Sequence, residues 1–290
     1  DRLFDGLNWG SGDVLSQTLQ IARRSGLNFI LLEPLTDVDR PADLQVWHES
    51  KDQAVHSAAA QRISIIIPTL NEAATIDRTL SRLKANRNPE VIVVDGGSKD
   101  ATAELAKSYA AKFIQTNPCK ATQMNTGASA AKGDILVFLH ADTQLPEHFE
   151  NQIQYALNQK DAVAGAFRLA IDSRAKGIRF IECMVNLRSR YLRMPYGDQA
   201  LFMKKTLFNE IGGFPDMPIM EDFLLVRRLK HKGKIVILNE SVMTSPRRWL
   251  HLGIFKTWLI NQLIIVAYYL GFPYERLTRL YRREAGKSGN

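Results

Sequence analysis

Four carboxylates stand apart from the other acidic residues of this chain because of where they fall. Asp95 closes the apolar run 91–94, Asp142 follows the run 135–139, and the pair Glu221-Asp222 opens an apolar helical pattern. A carboxylate so placed can accept a hydrogen bond from a ligand N–H or hydroxyl, hold a hard divalent cation, or take a proton from a nucleophile. Other polar groups gather near them along the chain. Pro68, Thr69, Asn71 and Glu72 follow the run 63–67; Gly96, Gly97 and Ser98 follow Asp95; Lys120, Gln123 and Asn125 open a helical segment; His140 and Ala141 precede Asp142. Further on come Gly197, Asp198 and Gln199, and then Arg247, Arg248 and Trp249. Arginine grips phosphate bidentately, tryptophan stacks on a sugar face, and a helix N-terminus attracts anions.

The elements that position these groups show in the hydrophobic pattern. Runs 63–67, 91–94 and 135–139 are short and apolar, and the polar residues that end each of them lead into helical spacing. This is the pattern of buried parallel strands whose carboxyl ends open onto a crevice. Ile76, Leu80 and Leu83 mark the first helix, Ala101, Leu105 and Tyr109 the second, and Met124, Ala128 and Ala131 the third, where Gly127 allows close packing and Gly133 a stop. Alternating strands and helices predict a parallel sheet with right-handed crossovers. No GxGxxG follows any candidate strand, which disfavours a dinucleotide site.

Each polar group also has a structural alternative. Asn71 can cap the helix that follows, Ser98 or Asp100 the next one, and the Glu221-Asp222 pair can serve a helix dipole. Lys120 can be a solvated first turn, His140 a strand-end packing residue, and Trp249 a core aromatic.

In order and separation these motifs resemble the family-2 glycosyltransferases, from about residue 63 to 249, and most of all the radical-SAM/selenodomain-associated transferase 2 group. The resemblance implies an α/β protein of the GT-A (nucleotide-diphospho-sugar transferase) fold, with a mostly parallel central sheet flanked by helices. It implies an inverting transfer of a sugar from a nucleotide diphosphate, a UDP- or GDP-sugar, to a small-molecule or lipid-linked acceptor hydroxyl. Carried over residue by residue, Pro68, Thr69, Asn71 and Glu72 lie against base and ribose, and Asp95, Gly96 and Ser98 against the base. Lys120, Gln123 and Asn125 lie near the phosphates. His140, Ala141 and Asp142 stand in the place of the family's Asp-x-Asp motif, whose last carboxylate holds Mg2+ or Mn2+; here His140 replaces the first acid, which bears on the strictness of metal dependence. Asp222 takes the place of the general base, with Glu221 beside it. Gly197, Asp198 and Gln199 lie between donor and acceptor, and Arg247, Arg248 and Trp249 at the acceptor or pyrophosphate.

The rest of the chain bounds this reading. With 290 residues, 45% of them hydrophobic, it can build a large core unaided, and Cys119 and Cys183 show no metal-ligand spacing. Two unpaired thiols favour a reducing, cytoplasmic setting. A net charge of +8 fits an anionic donor and the inner face of a membrane; no nucleic-acid motif accompanies it. The chain starts at Asp1 with no signal-peptide pattern, as a trimmed or excised piece would. Residues 1–50 resemble the C-terminal end of the companion transferase 1 group, with a helix from residue 14 and a strand at 29–32, forming a small N-terminal α/β appendage. Residues 51–61 are expected to be a linker, 62–250 the GT-A domain, and 251–290 an amphipathic helical region. The stretch 254–272 suits peripheral membrane contact or a homo-oligomer interface. Two other functions remain in view, sugar-phosphate nucleotidyl transfer and a non-catalytic nucleotide-sugar binding subunit.

Overall fold

The computed structural model describes residues 14–25, 61–84, 89–109, 112–247, 254–273 and 276–279. The chain divides into two compact units, residues 1–57 and 58–290. In the first, helix α1 (Val14–Arg24) forms where the apolar spacing predicts it, with Ala22 buried. The expected strand at 29–32 lies outside the described residues, as does all of the expected linker except Gln61.

The second unit is built from alternating strands and helices. Its first half runs β1 (Ile63–Thr69), α2 (Ala73–Lys84), β2 (Glu90–Asp95), α3 (Thr102–Ser108), β3 (Lys112–Gln115), α4 (Lys120–Ala130) and β4 (Ile135–Phe138). The second half runs β5 (Thr143–Gln144), α5 (Phe149–Leu157), β6 (Ala162–Ile171), α6 (Lys176–Leu192), β7 (Phe202–Lys204), α7 (Lys205–Glu210), α8 (Glu221–Lys230), β8 (Lys234–Thr244) and α9 (Ile254–Tyr269). Among the described residues the strands form one sheet in the order β3-β2-β1-β4-β7-β6-β8-β5. Strands β3, β2, β1 and β4 run parallel, as the apolar runs predict. Antiparallel β7 then joins β4 to β6, and β5 closes the far edge against β8.

Helices cover both faces, so side chains alternate between two cores. Ile65 and Ile67 point to the side of α2, α5 and α6, while Ile66 points to that of α4, α7 and α8. Helix α4 lies close to the sheet because of Gly127: a Cβ there would stand 2.4 Å from Ile66 Cγ2 and 3.0 Å from Val94 Cγ2. The parallel register sets Thr69 beside Asp95 and Ile66 beside Phe138. Thr69, Asp95 and His140 therefore reach one edge of the sheet together, at the carboxyl ends of its central strands.

Candidate active site

The loops after β1 and β2 are latched to each other. Asp95, almost fully buried, accepts from Thr69 Oγ1 at 3.0 Å, from the amides of Gly97 and Ser98 at 2.8 and 2.7 Å, and from Ser98 Oγ. Asn71, in the left-handed region at φ 55°, donates its amide to Ser98 Oγ and accepts from Lys99 N. Thr102 Oγ1 and Asp100 accept from the amides of Glu72 and Ala73, so the second loop caps the helix of the first. Capping by Ser98 or Asp100 was expected on the following helix; Asp100 does accept from Thr102 N, and its other oxygen reaches back to α2. Buried Gln123 bridges both strand ends from α4, donating to Thr69 O and Val94 O at 2.8 Å each. Gly96 fits beneath it: a Cβ there would lie 3.3 Å from Gln123 Nε2.

A reactive corner forms where α4, β4 and α8 meet. A small pocket is lined by Pro68, Lys120, His140, Gly197 and Asp222, with Phe138 and Phe214 beneath. Lys120, the first residue of α4, holds Nζ 3.4 Å from Glu221 Oε1. Burial pushes the Glu221 carboxyl up, Lys120 pulls it down, and the Asp222 charge adds a smaller upward push. Asp222 accepts from Gly197 N at 2.8 Å through Oδ2 and from Phe223 N at 2.7 Å through Oδ1. Met220, directly before the pair, is in the left-handed region at φ 65°. Gly197 opens a short turn (Gly197–Gln199) pinned by buried Gln199, which donates to Phe167 O at 2.9 Å and accepts from Ser189 Oγ at 3.0 Å. Asp198 sits half-buried on the same turn.

Asp142, two residues after His140, belongs to a charged cluster with Glu72 and Arg247. Its carboxylate accepts from Thr143 Oγ1 at 3.3 Å and Thr244 Oγ1 at 3.5 Å. Burial raises its pKa, the Glu72 charge raises it further, and Arg247 offsets part of both. Arg247 pairs with Glu72, which also accepts from Thr75 Oγ1 at 2.9 Å. Ala141 is buried, and its carbonyl accepts from Thr79. Among the described residues no three His, Cys, Asp or Glu side chains converge as a ligand set. A carboxyl whose charge is disfavoured by burial and by a second acid nonetheless fits a cation that takes its remaining ligands from phosphate and water, as Mg2+ and Mn2+ do.

Asn125 turns away from the pocket and exchanges two hydrogen bonds with the backbone of Phe214, at 2.8 and 2.9 Å, fixing the turn before α8. Arg248 and Trp249 lie outside the described residues. Residue types alone missed an aromatic wall next to Asp222. Phe223 packs edge-on against Tyr196, Tyr268 and Tyr269, the Arg188 guanidinium lies 3.5 Å from the Tyr196 ring centre, and Arg227 lies over Tyr268 at 5.5 Å. The signal was the position of Tyr196 directly before Gly197.

The family described as glycosyl transferase family 2 matches residues 64–215, just over half of the chain. The chain belongs to that family. An uncharacterized glycosyltransferase of Haemophilus influenzae is 31% identical over 171 residues, 56% of this chain and 54% of that protein. An undecaprenyl-phosphate 4-deoxy-4-formamido-L-arabinose transferase of Aeromonas hydrophila is 32% identical over 125 residues, 38% of each. The chain thus spans about half or less of the length of these curated relatives. Among solved structures it resembles a Pyrobaculum calidifontis mannosyltransferase in complex with GDP-Man and Mn2+, at TM-score 0.57 and 18% identity, over 84% of this chain and 77% of that one. It also resembles glucosyl-3-phosphoglycerate synthase of Mycobacterium tuberculosis in complex with Mg2+ and UDP, at TM-score 0.54 and 19% identity, over 77% and 84%. These likenesses give the family-2 chain the GT-A fold. The matched segment ends before Asp222 and Arg247, so the acid pair and the arginine of this glycosyl transferase family 2 member rest on the geometry described above.

Proposed function

We propose that this chain is an inverting glycosyltransferase that moves a hexosyl group from a nucleoside diphosphate donor to an acceptor hydroxyl, with Asp222 as general base. The observation that carries the reading is the meeting of Asp222 with Lys120 and His140 at Gly197. In this scheme the acceptor hydroxyl gives its proton to Asp222 while its oxygen bonds to the anomeric carbon. The bond from that carbon to the diphosphate breaks on the opposite face, and its electron pair leaves with the nucleoside diphosphate.

Lys120 and Arg247 face the phosphates, and Glu221 holds Lys120 in place. Asp142 would hold a divalent cation, which supplies positive charge at the departing diphosphate. Asp95 acts through the loop it shapes, because its two oxygens already accept four hydrogen bonds. The loops after β1 and β2, with Pro68 on the pocket wall, then receive base and ribose.

The donor is a UDP- or GDP-sugar, in line with the nucleotides named for the two structural relatives. A lipid-linked acceptor is favoured over a small metabolite by the undecaprenyl-phosphate transferase relative. The motifs support membership of the radical-SAM-associated transferase 2 group, and the two free thiols support a cytoplasmic setting. Residues 1–50 then form an appendage to a GT-A domain over 62–250.

A thermal-shift panel of nucleoside diphosphates and their sugars, with and without Mn2+, identifies the donor by selective stabilisation. Donor hydrolysis follows: wild type turns over, while Asp222→Asn is silent yet still binds the nucleoside diphosphate. Binding without turnover in the wild type across all donors would replace this reading with a non-catalytic binding subunit. Release of pyrophosphate from nucleoside triphosphate and sugar phosphate would replace it with nucleotidyl transfer.

A further inference from the structure

Helix α9 has no charged side chain after Lys256, and none follows until Glu275. A helix apolar all round is ordinarily covered all round. The expected amphipathic pattern fails here because the buried and open sides are both apolar. The protein covers one side, where Ile264 is buried and Tyr268 packs on Phe223. The other side leaves Leu259, Leu263, Val266 and Leu270 exposed by 52, 57, 53 and 70%, at spacings that align them in one stripe. The adjoining α6 exposes Leu187 and Tyr191 as well.

Charge selects the occupant. Residues 183–193 carry no acid, and while Arg188 stacks on Tyr196, Arg190 and Arg193 are exposed; residues 254–283 carry five basic residues against the single acid Glu275. Lys230 Nζ adds a further cation, 2.8 Å from Leu192 O at the end of α6. A second copy laid symmetrically on this face would bring like charges together. An anionic lipid surface satisfies both stripe and cations. No helix among the described residues is long and apolar enough to cross a membrane, so α9 would lie along the surface.

We infer that the α9 stripe, with the cations around the end of α6, seats this protein on an anionic bilayer beside the Asp222 pocket. The inference goes beyond the transfer reaction proposed above, and its test does not depend on catalysis. The full chain is floated on sucrose gradients with phosphatidylcholine vesicles, with or without phosphatidylglycerol, at low and high salt. Wild type rises with the phosphatidylglycerol vesicles at low salt and largely stays behind with phosphatidylcholine alone or at high salt. Leu259→Glu/Leu263→Glu/Val266→Glu loses vesicle binding by about tenfold or more, with an unchanged melting temperature and unchanged donor hydrolysis. Should that variant misfold, Arg190→Ser/Arg193→Ser is expected to weaken binding to the anionic vesicles alone. A wild type that never floats, or a correctly folded triple variant that floats as well as wild type, overturns the inference. So does a wild-type dimer that the triple variant splits into monomers while neither binds vesicles, which would assign the stripe to a second copy.

Discussion

The amide of Gly197 donates to Asp222 Oδ2 across 2.8 Å, tying the turn before β7 to the first residues of α8. A Cβ at Gly197 would lie 3.1 Å from His140 Nε2, 3.3 Å from Asp222 Oδ2 and 3.4 Å from Lys120 Nζ. All three are ends of side chains that can yield, so Gly197→Ala should fold normally and displace the reacting groups. Its kcat is expected to fall about a hundredfold, the cost of a shift of roughly 1 Å at a reacting centre. A steady-state assay beside a thermal melt separates the two effects; a large loss of stability with normal kcat would contradict the geometry.

Asp142 links function to pH. Burial and then Glu72 raise its pKa above the ordinary carboxylate value, so the folded protein holds this proton more tightly than the unfolded chain does. The ionised carboxyl therefore costs stability at neutral pH, and the cost disappears as pH falls through the folded pKa towards the unfolded one. Asp142→Asn should melt at a higher temperature than wild type at pH 7 and at the same temperature near pH ~3, below the usual carboxylate range. A melting difference independent of pH would refute this assignment.

The same carboxyl and Glu221, both shifted upward, should place the acid limb of kcat/KM above the usual carboxylate range of about 4. The proposed mechanism requires both ionised, so activity should rise with pH through these raised values. A rate profile flat down to pH ~4 would show that neither group governs the reaction.

Arg247 neutralises the cluster that Glu72 and Asp142 form. Arg247→Ala should raise the KM for donor by about ten- to a hundredfold, as expected for removing one charge-assisted partner of a phosphate. Extra Mn2+ should restore part of the loss if the arginine and the cation share the same task. An unchanged KM would remove Arg247 from the donor site.

Gln123 and Gly127 concern the scaffold. Gln123→Leu removes the side-chain amide that donates to Thr69 O and Val94 O, and although Thr69 O keeps the Gly96 amide, the loss should cost about 1–3 kcal/mol. Gly127→Ala overfills the contact with Ile66 and should cost about 1–3 kcal/mol. Urea unfolding measures both, and a neutral result at Gly127 would mean that α4 can lift off the sheet without penalty.

The parallel half of the sheet was legible because buried strands need unbroken apolar runs, and the runs ending at Thr69, Asp95 and His140 are of that kind. The use of each polar residue at those ends was not, since ligand binding and loop building call for the same side chains. Asn71, Asp95, Ser98, Gln123, Asn125 and Gln199 all make hydrogen bonds inside the protein. Lys120 and Glu221 pair at a distance in sequence that no local pattern reports. Antiparallel β7 is only three residues long, too short for alternation to show its direction.

The two-residue strand β5 has an influence out of proportion to its length. Thr143 is paired with Thr244, Gln144 with Met243, and Ser245 N donates to Asp142 O, so Asp142 and Arg247 flank a ladder only two pairs long. Strand pairing reverses the facing of every side chain when it slips by one residue. The balance of charge among Glu72, Asp142 and Arg247 is thus written into backbone registration, and an insertion of one residue between Val242 and Arg247 would unbalance it without altering any ionisable group.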